Sequence, residues 1–218
     1  KNFIYLCERI LTYFFLKNQF RDYNNMEITP RQLEIIEATG KILTKSGTSG
    51  LTIKNLAKEM NFSESAIYRH FASKEDIILA MMDYLAESID ERLTNLSQTT
   101  SPEEKFRAMF EEQFNFFSKN RHYVVAVFSD GLMDESLRIN EAIMKLLAIK
   151  MKHLFPLISD GQEKNIFTKA ISTEELVYVV MGTFKLQMYK WRLFSFEFDL
   201  KESGNKMIDS LLTLIKTK

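Results

Sequence analysis

Apolar residues recur along this chain at three- and four-residue spacing rather than in alternation, and most such stretches open on a capping signal. Thr29-Pro30-Arg31-Gln32 reads as a capping box with proline at the first helical position. Leu33, Ile36, Ala38, Ile42 and Leu43 follow on one side of that helix, and Gly47 closes it. Gly40 inside it costs roughly 1 kcal/mol relative to alanine, which predicts the close approach of a neighbouring helix. Ser73-Lys74-Glu75-Asp76 starts a longer helix through Ile77, Ile78, Met81, Met82 and Leu85 toward Leu96. After the polar break Ser97-Gln98-Thr99-Thr100, Ser101-Pro102-Glu103-Glu104 reads as a second capping box ahead of the stripe Phe106, Met109, Phe110, Phe114 and Phe117.

Beyond the stripe, Val124 to Phe128 is a short apolar helix expected to end near Asp130-Gly131. Leu137 to Phe155 is amphipathic through Ile139, Ile143, Leu146, Leu147 and Leu154, with Pro156 and the polar stretch Ser159 to Asn165 expected to end it. Ser172-Thr173-Glu174-Glu175 opens a helix whose Leu176, Val177, Val179, Val180 and Met181 are apolar nearly all round, so cover on both sides is expected. The last helix, roughly Asp199 to Ile215, supplies Met207, Ile208, Leu211, Leu212, Leu214 and Ile215. With 7 glycines and 3 prolines there is little room for a turn-rich β fold, and the fold class is all-α.

One stretch carries more than core. Thr52 to Phe71 reads as two short helices around a tight turn, with Ile53, Leu56, Ala57 and Met60 on the inner face of the first. Thr52 is its N-cap. Asn61, the residue type after glycine most tolerant of positive φ, stands where that helix must stop, and Ser63 caps the next. Phe62 plugs the corner. Ile67 and Phe71 then face inward with Ala66 beside them, leaving Glu64, Ser65, Tyr68, Arg69 and His70 to point outward. A polar, aromatic and basic face on a short helix suits a DNA groove.

At these residues the chain resembles the TetR family of transcriptional regulators. The matching places are Thr52, Ala57-Lys58-Glu59-Met60-Asn61, Ser63, Tyr68-Arg69-His70-Phe71 and Lys74, with Asn61 standing where glycine is usual. The resemblance covers about Thr29 to Ile77 and continues beyond only as architecture. It implies a three-helix helix-turn-helix head over residues 26–73, joined to a larger helical ligand-sensing and dimerisation body over 74–218. Thr52, Tyr68, His70 and Lys74 match positions that contact phosphates, and hydroxyl, imidazole and ammonium donors beside helix N-termini suit anionic oxygens. Glu64, Ser65, Ala66 and Arg69 lie where base edges would be read, Arg69 suiting guanine and Glu64 cytosine. Plainer roles stand beside these: Thr52 as a cap only, His70 as a solvated histidine, Tyr68 as a packing residue with a wet hydroxyl.

The resemblance also implies a homodimer on a palindromic double-stranded operator, with the last two long helices pairing across the interface. A small apolar or amphipathic effector of unknown identity would release it, and repression is the default direction. The 18 phenylalanines and 11 methionines offer adaptable walls for such a ligand, though ordinary core is the better reading for any one of them. A protein of this fold acting through a protein partner, without DNA, is the alternative.

Charge and rare residues narrow the picture. Lys and Arg number 29 against 29 Asp and Glu, so DNA affinity must be local rather than a property of net charge. Between Thr52 and Lys74 the bases Lys54, Lys58, Arg69 and Lys74 outnumber the acids Glu59 and Glu64. The single Cys7 excludes a disulfide framework within the chain, which fits a cytoplasmic location. His122 and His153 have no carboxylate constellation around them in sequence, and no Gly-rich phosphate loop, G-x-S-x-G or H-E-x-x-H occurs. No enzyme, cofactor or metal is expected. Residues 1–25 read as an extension upstream of Met26, as an arm packing on the body, or as a membrane-surface helix; Glu8 and Arg9 argue against a membrane span.

Overall fold

A computed structural model describes residues 28–96, 101–128 and 136–217. The 1–25 segment, the break at 97–100 and the expected stop at Asp130-Gly131 lie outside the described residues. Among the described residues there are nine α-helices: α1 Pro30–Ser46, α2 Ile53–Met60, α3 Glu64–Tyr68, α4 Lys74–Thr94, α5 Pro102–Lys119, α6 Arg121–Val127, α7 Leu137–Glu163, α8 Thr173–Leu193 and α9 Leu200–Ile215. The extended backbone among them is one isolated bridge between Phe167 and Lys216. None of these helices is long and apolar enough to cross a membrane.

The caps form largely where the side chains call for them. The Thr29 amide donates to Gln32 Oε1 at 3.0 Å and the Gln32 amide returns to Thr29 Oγ1 at 3.3 Å. Ser172 and Glu175 make the same reciprocal pair at the start of α8. Ser101 departs from expectation: Pro102 occupies the first turn, but the serine makes no side-chain cap. Glu103 instead reaches across to Lys216 at 2.7 Å, tying α5 to the end of the chain's last helix. In α1, Ile35 is fully buried and Leu33 only half-buried, a small rotation of the apolar face.

Pro156 does not end α7. The helix runs 27 residues to Glu163. Proline removes the bond to the Lys152 carbonyl, and both Pro156 and Lys152 lie on the exposed side, where water can satisfy that oxygen. On the opposite side Leu154 and Ile158 are fully buried and hold the helix together past the gap. The real stop is Asn165, left-handed at φ 56. The Ile166 amide donates to Gly161 O at 2.8 Å and the Asn165 amide to Gln162 O at 3.0 Å, a Schellman closure. Pro156→Ala is expected to raise the melting temperature, a gain of about 1 kcal/mol once the proline's restriction of the unfolded chain is subtracted. A lower melting temperature would mean that the kink is needed for packing.

α4 and α7 lie side by side in parallel, the most extensive helix pair among the described residues. A ladder of ion pairs at seven-residue spacing records their register: Arg138 with Glu75 and Asp76 at 3.0 and 3.1 Å, Lys145 with Asp83 at 2.7 Å, and Lys152 with Asp90 at 3.0 Å. His153 joins the last rung at 2.6 Å from Asp90. Burial pushes the Asp90 carboxyl up, but the hydrogen bonds from His153 and Lys152 outweigh it and hold it below its usual range. Exposed pairs of this kind contribute about 0–1 kcal/mol each, so the ladder specifies alignment more than it stabilises.

The cover expected on both sides of α8 is present on one. Leu176, Val177, Val180, Phe184, Met188 and Trp191 are buried, while Val179, Leu186 and Leu193 are 49%, 65% and 63% exposed. Leu214 on α9, one of the apolar residues that helix supplies, is 74% exposed.

Candidate nucleic-acid interface

The head is α1 to α3 set on the first turn of α4. Thr52 Oγ1 accepts from the Asn55 amide at 3.1 Å, and the Asn55 side chain donates to Gly50 O at 2.8 Å, so the entry to α2 is held from both sides. Asn61 adopts φ 54, ψ 40, and the amides of Asn61 and Phe62 close on Lys58 O and Ala57 O at 3.2 and 2.8 Å. That is a Schellman closure with asparagine in the glycine place. The Ala66 amide donates to Ser63 Oγ at 3.2 Å, starting α3 immediately after. Leu56, Ala57, Ile67 and Phe71 are buried beneath the two helices, and Phe62 is half-buried under the Arg31 guanidinium.

What remains outside matches the expected surface closely. Thr52, Glu64, Ser65, Tyr68, Arg69 and His70 are exposed, with Tyr68 at 51%. A half-exposed tyrosine beside a basic residue is a poor use of apolar area unless something covers it. Lys74 is half-buried at the head of α4, and Ala66 is half-buried, offering an edge rather than a full side chain. Ser65 Oγ lies 2.9 Å from Ser63 Oγ, so part of its hydrogen-bonding capacity is already used by the cap. Lys54 and Lys58 are exposed along α2.

Two struts hold this surface in place, one within the head and one from the body. Gln32 Nε2 donates to the His70 carbonyl at 3.3 Å, pinning the end of α3 to α1. Arg138, at the start of α7, holds Glu75 and Asp76, the residues directly after Lys74. Gly40 meets the approach predicted for it: a Cβ there would lie 2.7 Å from the His122 ring on α6. Two surface clefts flank α1, one lined by Arg31, Glu34, Glu59 and Phe62 and one by Lys41, Lys45, Lys119 and Arg121.

Among the described residues four polar side chains are buried, Thr39 in the head and Gln113, Lys150 and Gln162 in the body. Thr39 donates to Ile35 O at 2.8 Å, and Gln162 donates to Thr168 O and Ile171 O and accepts from Thr173. Gln113 and Lys150 differ. Neither amide atom of Gln113 has a hydrogen-bond partner. Lys150 meets aromatic faces, its Nζ 4.1 Å from the Phe184 centroid and 5.4 Å from that of Phe117. An unsatisfied buried polar group costs about 1–3 kcal/mol, more for a charged one. Sequence reading missed both, yet a signal existed: Lys150 falls in the apolar register of Ile143, Leu146 and Leu154, and Gln113 in that of Phe106, Phe110 and Phe117.

Comparison with known proteins places this geometry. The model described as bacterial regulatory proteins, tetR family, matches residues 35–81, and that of the YsiA-like protein C-terminal region matches residues 81–215. The fatty acid metabolism regulator protein of Bacillus subtilis (strain 168) is 18% identical over 190 residues, 87% of this chain and 97% of its own. The fatty acid degradation regulator FadR from Bacillus halodurans superposes with a TM-score of 0.76 at 19% identity, over 84% of this chain and 95% of that one. FadR from Bacillus subtilis, solved with stearoyl-CoA, gives 0.70 at 17% identity, over 83% and 97%. At these identities the solved structures establish the shared fold.

Proposed function

The chain belongs to the TetR family of bacterial regulatory proteins, DNA-binding transcriptional regulators, and from that premise we propose a cytoplasmic, non-catalytic repressor released from a palindromic operator by an acyl-type amphipathic ligand. The observation that carries the DNA part is the exposed set Thr52, Tyr68, Arg69 and His70 on a helix-turn-helix whose turn and caps are fully closed. Thr52, Tyr68, His70 and Lys74 hold phosphates; Glu64, Ser65, Ala66 and Arg69 face the bases. Thr52 Oγ1 accepts from the Asn55 amide, leaving its hydroxyl hydrogen to donate to a phosphate. The acyl class of ligand is supported by the two fatty-acid regulators to which the chain is similar and by a body core walled with phenylalanine.

Release follows from the ladder. A ligand that shifts α7 moves α4 with it, because Arg138, Lys145 and Lys152 hold the two helices in one register. α4 begins at Lys74, so the reading heads of a dimer move out of phase with successive major grooves. The ligand lowers DNA affinity by its preference for the shifted state.

Selection of bound sequences from random duplex DNA by the full chain is the test. Enrichment of an inverted repeat is expected. Tyr68→Ala with Lys74→Ala is then expected to weaken binding to that repeat by about 10- to 100-fold, with an unchanged melting temperature and a shallower salt dependence. Unchanged affinity would remove the phosphate roles, and no enrichment would remove DNA binding.

A further inference from the structure

We propose that the body core between α5, α7 and α8 is a binding site for an amphipathic monoanion, whose carboxylate pairs with Lys150 and accepts a hydrogen bond from Gln113. This rests on the acyl-ligand reading above and narrows it to the free acid rather than a thioester. Two of the four buried polar side chains are fully hydrogen-bonded, and the two that are not share one region of the body core. Gln113 lies one turn from Phe117 on α5, the same phenylalanine whose ring faces the Lys150 ammonium. Phe184 stands at the centre, with Lys150 at 4.1 Å and the rings of Phe110 and Phe114 at 5.6 and 5.5 Å. Among the described residues no carboxylate acts on Lys150, whose amine is shifted by burial alone.

The chemistry selects the ligand. One ammonium behind aromatic walls neutralises one negative charge and no more, and a buried carboxylate needs both that charge and a further donor for its second oxygen. Gln113 Nε2 supplies the donor. Phenylalanine faces around them take an alkyl tail and leave it nothing polar to bond. A thioester, lacking the negative charge, would leave Lys150 without a counter-charge, as it is now. Burial alone already holds the Lys150 amine down to about 7, so an arriving carboxylate completes its charged form. α7 carries both Lys150 and the ion-pair ladder to α4, which places the bound anion on the helix that transmits release.

Isothermal titration with dodecanoate, dodecanol and dodecanoyl-CoA, on the natural chain and on Lys150→Met, Gln113→Leu and Lys190→Met, tests this. The acid is expected to bind the natural chain and to lose about 10- to 100-fold in affinity in Lys150→Met, with a smaller loss in Gln113→Leu. Lys190→Met, which removes an exposed lysine lying 5.5 Å from the Phe198 ring, is expected to bind as before. Lys150→Met is also expected to melt at a higher temperature without ligand, since it removes a desolvated amine from among aromatic rings; this shows that the loss is not unfolding. Equal binding of the acid by Lys150→Met, or of dodecanol by the natural chain, would overturn the carboxylate site alone. Binding of dodecanoyl-CoA without the acid would overturn it and leave the acyl reading standing. Binding of none of the three would overturn both.

Discussion

A chain carrying Leu186→Glu and Leu193→Glu is expected to sediment as a monomer at micromolar concentration and to lose operator affinity by about 100-fold or more. The reason lies in the uncovered face of α8. Val179, Gly182, Leu186, Tyr189 and Leu193 follow one another at spacings of three and four, a seam of the kind that packs against another helix. Leu186 and Leu193 are 65% and 63% exposed, Leu214 of α9 is 74% exposed, and a Cβ at Gly182 would meet nothing within 4 Å. A self-complementary seam buries each leucine twice, once per protomer, at about 1 kcal/mol or more for each. Glutamates there remove that gain and set like charges against one another across the symmetry axis. Two heads joined by such a seam bind two half-sites as one ligand, and that advantage disappears with the dimer. Sedimentation equilibrium and operator titration read the two effects separately. A persisting dimer would move the interface elsewhere on the molecule.

Gly161→Ala is expected to destabilise the fold by roughly 1–3 kcal/mol, against the gain of about 1 kcal/mol that alanine brings to an exposed helix position. A Cβ at Gly161 would lie 2.1 Å from Phe167 Cδ2 and 2.4 Å from Cε2. Phe167 cannot step aside. It is 0% exposed, its amide donates to Gly161 O at 2.9 Å, and its ring meets Phe106 at 6.2 Å. Its backbone is bridged to Lys216, with flanking bonds from Thr168 to Ile215 O at 2.7 Å and from Thr217 to Ile166 O at 2.9 Å. Urea unfolding at constant slope measures the loss. A raised midpoint would mean that this corner relaxes and that helix propensity decides.

These two effects differ in how far they could be foreseen. The α8 stripe was visible as an apolar surplus needing cover on both sides, and the resemblance implied a partner's helices for part of it, but only packing shows which residues stay outside. Gly161 carried no signal, because its role depends on a ring six residues on that returns over it after the Asn165 turn. The head was legible almost residue by residue. Thr52, Asn61 and Ser63 act through bonds to amides and carbonyls within a few positions, so their roles survive without knowledge of the rest.

Pro156 and Lys150 show the opposite case. Each violates a local rule, and each is tolerated because of where tertiary packing puts it: the proline on a solvated edge, the lysine against Phe184 and Phe117. Sequence alone determined the helices, most of their caps, the helix-turn-helix and the outward set Glu64, Ser65, Tyr68, Arg69 and His70, since helix capping and periodicity are interactions between near neighbours. Tertiary structure decided the register of α4 on α7, the open seam of α8 and the polar pair within the phenylalanine core. Those depend on residues tens of positions apart meeting through burial, a free energy set by the whole packing rather than by any local pattern.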